Sequence, residues 1–181
     1  MTFLLFPDTT VLTNFVIMDR VDLLAAIVQD RGRWTLTIAG ECRRGAKIEG
    51  LGALAEMDAI FGTPIAPTVL ERSDTALFRA RLAKPGEPAR QHLGEAETFA
   101  VITRRQLSAI FVTDDMDARA LAASELEART YGTADLVKLA VHVNRLALDA
   151  AWASIGLLRA EGRYVPGAPF NFAAFRSWCA P

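Results

Sequence analysis

This 181-residue chain has no surplus of charge of either sign. Its 20 basic and 21 acidic residues nearly cancel, for a formal net charge of −1. Binding of nucleic acid through overall basicity is therefore excluded, and only a local basic patch could handle a phosphate backbone. Cysteine is scarce: Cys42 and Cys179 have neither motif spacing nor company, so reduced thiols in a cytoplasmic protein are expected. Apolar runs such as Leu23 to Val28 fall far short of the roughly 20 residues a membrane-spanning helix needs. The first residues lack the basic lead and small-residue cleavage site of a signal peptide, so none is expected. No Gly-rich phosphate loop or dinucleotide fingerprint is present. Neither His92 nor His142 stands at ligand spacing with the cysteines, which argues against a zinc site.

What is present is a core. Hydrophobic residues make up 51% of the chain, enough for one domain of this length and too many for a disordered one. Phe3-Leu4-Leu5-Phe6 reads as a central strand, and Asp8-Thr9-Thr10 caps a helix through Val11, Leu12, Phe15 and Met18. Val21, Leu24, Ile27 and Val28 predict a second helix, ended by Gly32. Trp34 to Ile38 alternates and is rich in β-branched residues, so it reads as a second strand with Glu41 just beyond it. Residues 51–61 form an amphipathic segment broken by Pro64. A helix carrying Leu70, Leu77, Phe78 and Leu82 stops at an exposed Lys84-Pro85-Gly86-Glu87-Pro88 link.

A helix from Leu93 runs through Ile102, with Glu95 and Glu97 suiting its dipole. Ile110 to Thr113 is a strand that enters Asp114-Asp115-Met116-Asp117, and a helix follows. Glu127 to Tyr131 is a weak strand before helices over 133–146 and about 149–159. The aromatic-rich segment 166–181 shows no periodicity and reads as an irregular tail or a partner contact, set apart from a domain over 1–165. Strand and helix alternate throughout, which predicts an α/β fold: a three-layer α/β/α sandwich with a mostly parallel central sheet.

In such a sheet the strand carboxyl ends share one edge. Asp8, Glu41, Asp114 and Asp115 would lie there, joined by Glu95 from a nearby helix start. Each acid alone also fits a helix cap, and both readings of the Asp114-Asp115 window stay open. Four elements each offering an acid to one edge is less ordinary. A carboxylate cluster suits Mg²⁺ or Mn²⁺, which take oxygen ligands and can activate water beside a phosphodiester. Thr9, Thr10 and Thr113 could bond the acids or a bound water, or simply cap. Arg43, Arg44 and Lys47 could hold a backbone phosphate or form a solvated face. Arg104 and Arg105 read as charges at a helix end, Arg119 as a partner for the acids, His142 as a core or interface histidine and His92 as a loop residue.

The ordered set Asp8-Thr9-Thr10, Glu41, Gly94-Glu95-Ala96-Glu97, Thr113-Asp114-Asp115 with Ala118-Arg119, then Tyr131-Gly132-Thr133, resembles PIN-domain proteins. Within that family it is most similar to the VapC-type toxins, from about residue 3 to residue 165. The resemblance implies Mg²⁺- or Mn²⁺-dependent cleavage of RNA, with a small antitoxin as partner and a homodimer as the common assembly. It places metal and catalysis on Asp8, Glu41, Glu95 and Asp114 or Asp115, with Asp117 as a supporting acid; the residues themselves suggest Thr9, Thr113, Arg43 and Arg44 toward the substrate. Two other classes compete: a PIN-like binding module without activity, and a signalling receiver. The receiver pattern wants its acidic pair early and a late Lys after a strand, and this chain has neither. An apolar content in 51–61 and 134–158 beyond what a small sheet needs is the sequence argument for the dimer.

Overall fold

The structure is a computed structural model in which residues 3–88, 90–125 and 129–180 are described. Three parallel strands, β1 (Leu4–Pro7), β2 (Ala109–Val112) and β3 (Arg129–Tyr131), lie in that order. β1 pairs with β2 in the register Leu4 opposite Ala109, and β2 pairs Ile110 with Arg129. Around them run ten α-helices among the described residues: α1 (Thr9–Ile17), α2 (Val21–Val28), α3 (Leu36–Gly45), α4 (Met57–Phe61), α5 (Val69–Leu82), α6 (Leu93–Arg104), α7 (Met116–Glu125), α8 (Thr133–His142), α9 (Leu148–Ala160) and α10 (Phe172–Cys179).

Strand alternation sends successive side chains into two separate cores. Leu5, Ile110 and Val112 join the larger one with α1 to α4 and α8 to α10, while Phe6, Ala109 and Phe111 join the smaller one with Phe99, Ile102, Ala118 and Ala122. Helices therefore cover both faces of the sheet, which is compatible with three layers. Phe99 sits edge-on to Phe111 at 4.8 Å and to Phe78 at 5.9 Å, tying α5 and α6 to β2.

Several expectations change. Trp34 to Ile38 is not a strand. Residues 32 to 35 run extended for only two isolated bridges, with the Arg33 N–H on the Leu5 carbonyl (2.8 Å) and the Ile65 N–H on the Trp34 carbonyl (2.9 Å). Helix α3 then begins at Leu36. Its β-branched residues are outweighed by a tertiary cap, because the Glu97 carboxylate of α6 accepts from the Thr37 N–H (2.8 Å) and hydroxyl (2.9 Å). Glu41 thus sits in the second turn of a helix rather than past a strand. Glu97 holds a neighbouring helix, where a dipole role for its own was expected.

The C-terminal segment is also more regular than expected. Asn171 caps α10 by accepting from the Ala174 N–H, and Phe175 and Cys179 are buried in the same core as Leu12 and Leu24. His142 is largely exposed, not a core histidine, and its Nε2 lies 2.8 Å from the Cys179 carbonyl, joining α8 to α10. Helix α8 stops at His142, short of residue 146. Of the weak strand, 127 and 128 lie outside the described residues, and Arg129–Tyr131 is β3.

The apolar surplus is consumed internally. Leu54, Met57 and Phe61, with Leu136, Val137, Ala140, Ile155 and Leu158, are buried in the larger core, which removes the sequence argument for a dimer. Arg104 and Arg105 are exposed charges at the end of α6, as expected, and they also have partners. They clamp α6 to α5 through Asp74 (2.8 and 2.9 Å) and through Glu71 (2.6 and 2.9 Å), whose side chain is 1% exposed. No described helix is long and apolar enough to cross a membrane.

A candidate acidic metal centre

The carboxyl edge of the sheet is built by three strand ends. Asp8 follows β1, and its N–H donates to the Val112 carbonyl (2.8 Å). Thr113 follows β2 and donates to the Tyr131 carbonyl (2.8 Å). Thr133 follows β3 by two residues and opens α8. Asp8 caps α1 by accepting from the Thr10 N–H at 3.3 Å and is itself buried.

Two further helices bring acids to the same place. The Thr9 hydroxyl donates to Glu41 Oε2 at 2.5 Å, so β1 and α3 deliver Asp8 and Glu41 side by side. Gly94 explains how α6 comes so near. A Cβ there would overlap Ile38 Cδ1 and stand 3.3 Å from Glu41 Oε2, so only glycine lets the start of α6 press on α3 and set Glu95 beside Glu41.

The protonation behaviour reports the crowding. Burial, opposed by hydrogen bonds from Thr10 and reinforced by the Glu41 charge, pushes Asp8 up to about 6. Glu95 is pushed up to about 8, first by burial and then by the charges of Asp8, Asp115 and Glu41. Burial raises Glu41 too, against the lowering influence of Thr9 and Arg44. Asp8, Glu41 and Glu95 are thus crowded in a half-dry site, with the Asp115 charge beside Glu95, an arrangement that a cation relieves.

The neighbouring acids divide into roles. Asp115 is both cap and site. Its Oδ1 accepts from the Asp117 (2.8 Å) and Ala118 (3.0 Å) N–H groups at the start of α7, while Oδ2 lies 3.6 Å from His92 Nδ1. Asp114 has both oxygens engaged, by the Thr133 N–H (2.9 Å), the Thr133 hydroxyl (2.5 Å) and the Asn14 amide (2.9 Å). Its carboxyl is raised by burial even so. Asp114 thus shapes the edge through Thr133 and Asn14, while Asp115 lies beside Glu95 and its charge raises that carboxyl.

Other expected residues fall away from the acids. Asp117 pairs with Lys84 at 2.5 Å on the surface. Thr113 is fully buried, and its hydroxyl accepts from the Asp115 N–H (3.1 Å), so it braces the loop and cannot touch a substrate. Arg43 is bound to Asp58 at 2.6 Å. Arg119 pairs with Asp135 at 2.8 Å, and its charge lowers Asp114. Thr9 and Arg44 do reach the site, Thr9 as a holder of Glu41.

Three residues outside the sequence reading matter here. His92 is buried against Glu95 and Asp115, with its Nδ1 unpartnered. Arg163 bonds the Asn14 side-chain oxygen (2.8 Å) and lines a hollow of about 270 Å³ with Thr10, Asp114, Asp115 and Tyr164. On the other side, Arg44 and Arg90 line a hollow of about 180 Å³ with Thr37, Gly40 and Glu41. The His92–Glu95 spacing, one helical turn across a cap, was the available signal for His92. Nothing local marked Arg163. No family model matches the chain, and neither a curated protein nor a solved structure matches it.

Proposed function

We propose that this chain is a divalent-cation-dependent ribonuclease of PIN type, akin to the VapC-type toxins it resembles, that hydrolyses RNA phosphodiester bonds. The observation that carries the reading is the convergence of Asp8, Glu41, Glu95 and Asp115, from separate elements, at the carboxyl edge of a parallel sheet. Their oxygens would hold Mg²⁺ or Mn²⁺. A bound ion of this kind supplies an activated water and stabilises the leaving oxygen. The chain's own residues do the rest. Thr9 fixes the Glu41 carboxylate, Gly94 permits the approach of Glu95, and Asn14 and Thr133 hold Asp114 so that the loop bearing Asp115 keeps its shape. Arg163 and Tyr164 on one side, with Arg44 and Arg90 on the other, offer cations and a ring to a strand passing over the acids.

The same reading includes a small antitoxin whose Lys or Arg would neutralise the acids when no metal is bound. Co-purification with the product of an adjacent small gene tests that part. The nuclease itself is tested by incubating purified protein with end-labelled RNA in Mn²⁺ or Mg²⁺ and then in EDTA. Metal-dependent fragments that EDTA abolishes are expected, and RNA left intact in both metals refutes the activity.

A further inference from the structure

We infer that His92 is a direct ligand of the cation, so that the centre is a mixed nitrogen and oxygen site selecting a transition metal such as Mn²⁺ or Zn²⁺ over Mg²⁺. The inference rests on the cation-binding part of the reading above. It does not require RNA to be the substrate.

The geometry begins with an unmet need. His92 is 6% exposed, and its Nδ1 is buried without a hydrogen-bond partner. That nitrogen lies 3.5 Å from Glu95 Oε1 and 3.6 Å from Asp115 Oδ2, and all three donors fall within 4.8 Å of one another. These separations are too long for hydrogen bonds, which run at about 2.7–3.2 Å. They are close to what a shared ion imposes. Two donors each about 2.1 Å from one metal stand about 3.0 Å apart at an octahedral edge and about 3.4 Å apart at a tetrahedral one.

The other ring nitrogen strengthens the assignment. Nε2 lies 3.4 Å from Glu87 Oε2, a carboxylate oxygen that also accepts from the Lys84 N–H at 2.8 Å. With an ion on Nδ1, the ring proton would sit on Nε2, facing the Glu87 carboxylate. Carboxylate–histidine–metal relays are built this way. His92 is the residue before α6, and its ring makes no helix-capping bond. An imidazole donor shifts preference away from Mg²⁺, which takes oxygen, toward the later divalent metals.

The test uses the full chain stripped of metal and then titrated calorimetrically with Mn²⁺, Zn²⁺ and Mg²⁺ separately. Wild type should bind Mn²⁺ and Zn²⁺ at least about tenfold tighter than Mg²⁺. His92→Asn, whose side chain tolerates left-handed backbone, should lose at least about tenfold in Mn²⁺ and Zn²⁺ affinity with Mg²⁺ affinity unchanged. Electron spin echo spectra of the Mn²⁺ protein should show a nitrogen coupling that His92→Asn removes. Glu87→Gln should weaken Mn²⁺ while keeping that coupling. If His92 merely screens the two carboxylates, His92→Asn raises affinity for all three metals, and that result overturns the inference. Equal affinities with no nitrogen coupling overturn it too. Mn²⁺ bound with nitrogen coupling by a protein that leaves RNA intact upholds the ligand assignment and refutes only the nuclease reading.

Discussion

Glu95→Gln should stabilise the metal-free protein at pH 8 and lose that advantage by pH 4.5. The Glu95 side chain is only 13% exposed, and burial with the charges of Asp8, Asp115 and Glu41 moves it from an ordinary 4.5 to about 8. The folded carboxyl thus keeps its proton to higher pH than the unfolded chain does. Its stabilising effect is full below about pH 4.5 and is lost as pH rises to about 8. At about 1.4 kcal/mol per pH unit, the cost reaches on the order of 4 kcal/mol by pH 8.

Glutamine keeps the volume and removes the charge. Its own amide desolvation cancels part of the gain, leaving about 2–3 kcal/mol. For a chain of this length that raises the melting temperature by roughly 5–10 °C. Scanning calorimetry in EDTA from pH 4.5 to 8.5 reads the difference, since titrations shared by both proteins cancel. Mn²⁺ should then stabilise wild type more than the variant, because it binds only the folded state and prefers the full acid set. Melting temperatures that stay parallel across this pH range would falsify the repulsion argument.

Asp8→Asn keeps an acceptor for the Thr10 N–H, so the metal-free protein should melt no lower than wild type, while RNA cleavage on labelled substrate falls by at least about 100-fold. A variant that melts lower and cleaves normally would reduce Asp8 to a cap. Gly94→Ala should cost about 1–3 kcal/mol in urea unfolding and weaken Mn²⁺ binding, because the new methyl meets Ile38 and Glu41. Arg105→Ala should cost about 2 kcal/mol at pH 7, because buried Glu71 loses its cation and keeps only its Thr68 partner. Arg105 holds Glu71 down to about 2, so this contribution is present above the ordinary 4.5 and fades as pH falls toward 2. Urea unfolding at pH 7 and pH 3 checks it.

Local pattern by itself determined much of this protein. The apolar runs at Phe3–Phe6 and Ile110–Val112 are strands, the 3.6-residue spacing from Val21 to Val28 is a helix, and the start of α6 falls at Leu93. That Asp8 and the Asp114-Asp115 pair share an edge was legible because parallel strands carry their carboxyl ends there, whereas Glu41 comes to the same place from the second turn of α3. Tertiary structure decided what short-range preference cannot encode. Trp34 to Ile38 has β-prone residues, yet Glu97, 60 residues away, caps it as a helix. Asp114 and Asp115 are equivalent in the sequence, and Asn14 and Thr133, distant along the chain, commit the first to structure and leave the second for the cluster. His92 looked like a loop residue because its neighbours, Asp115 above all, reach it only through the packing of α6 beside the end of β2.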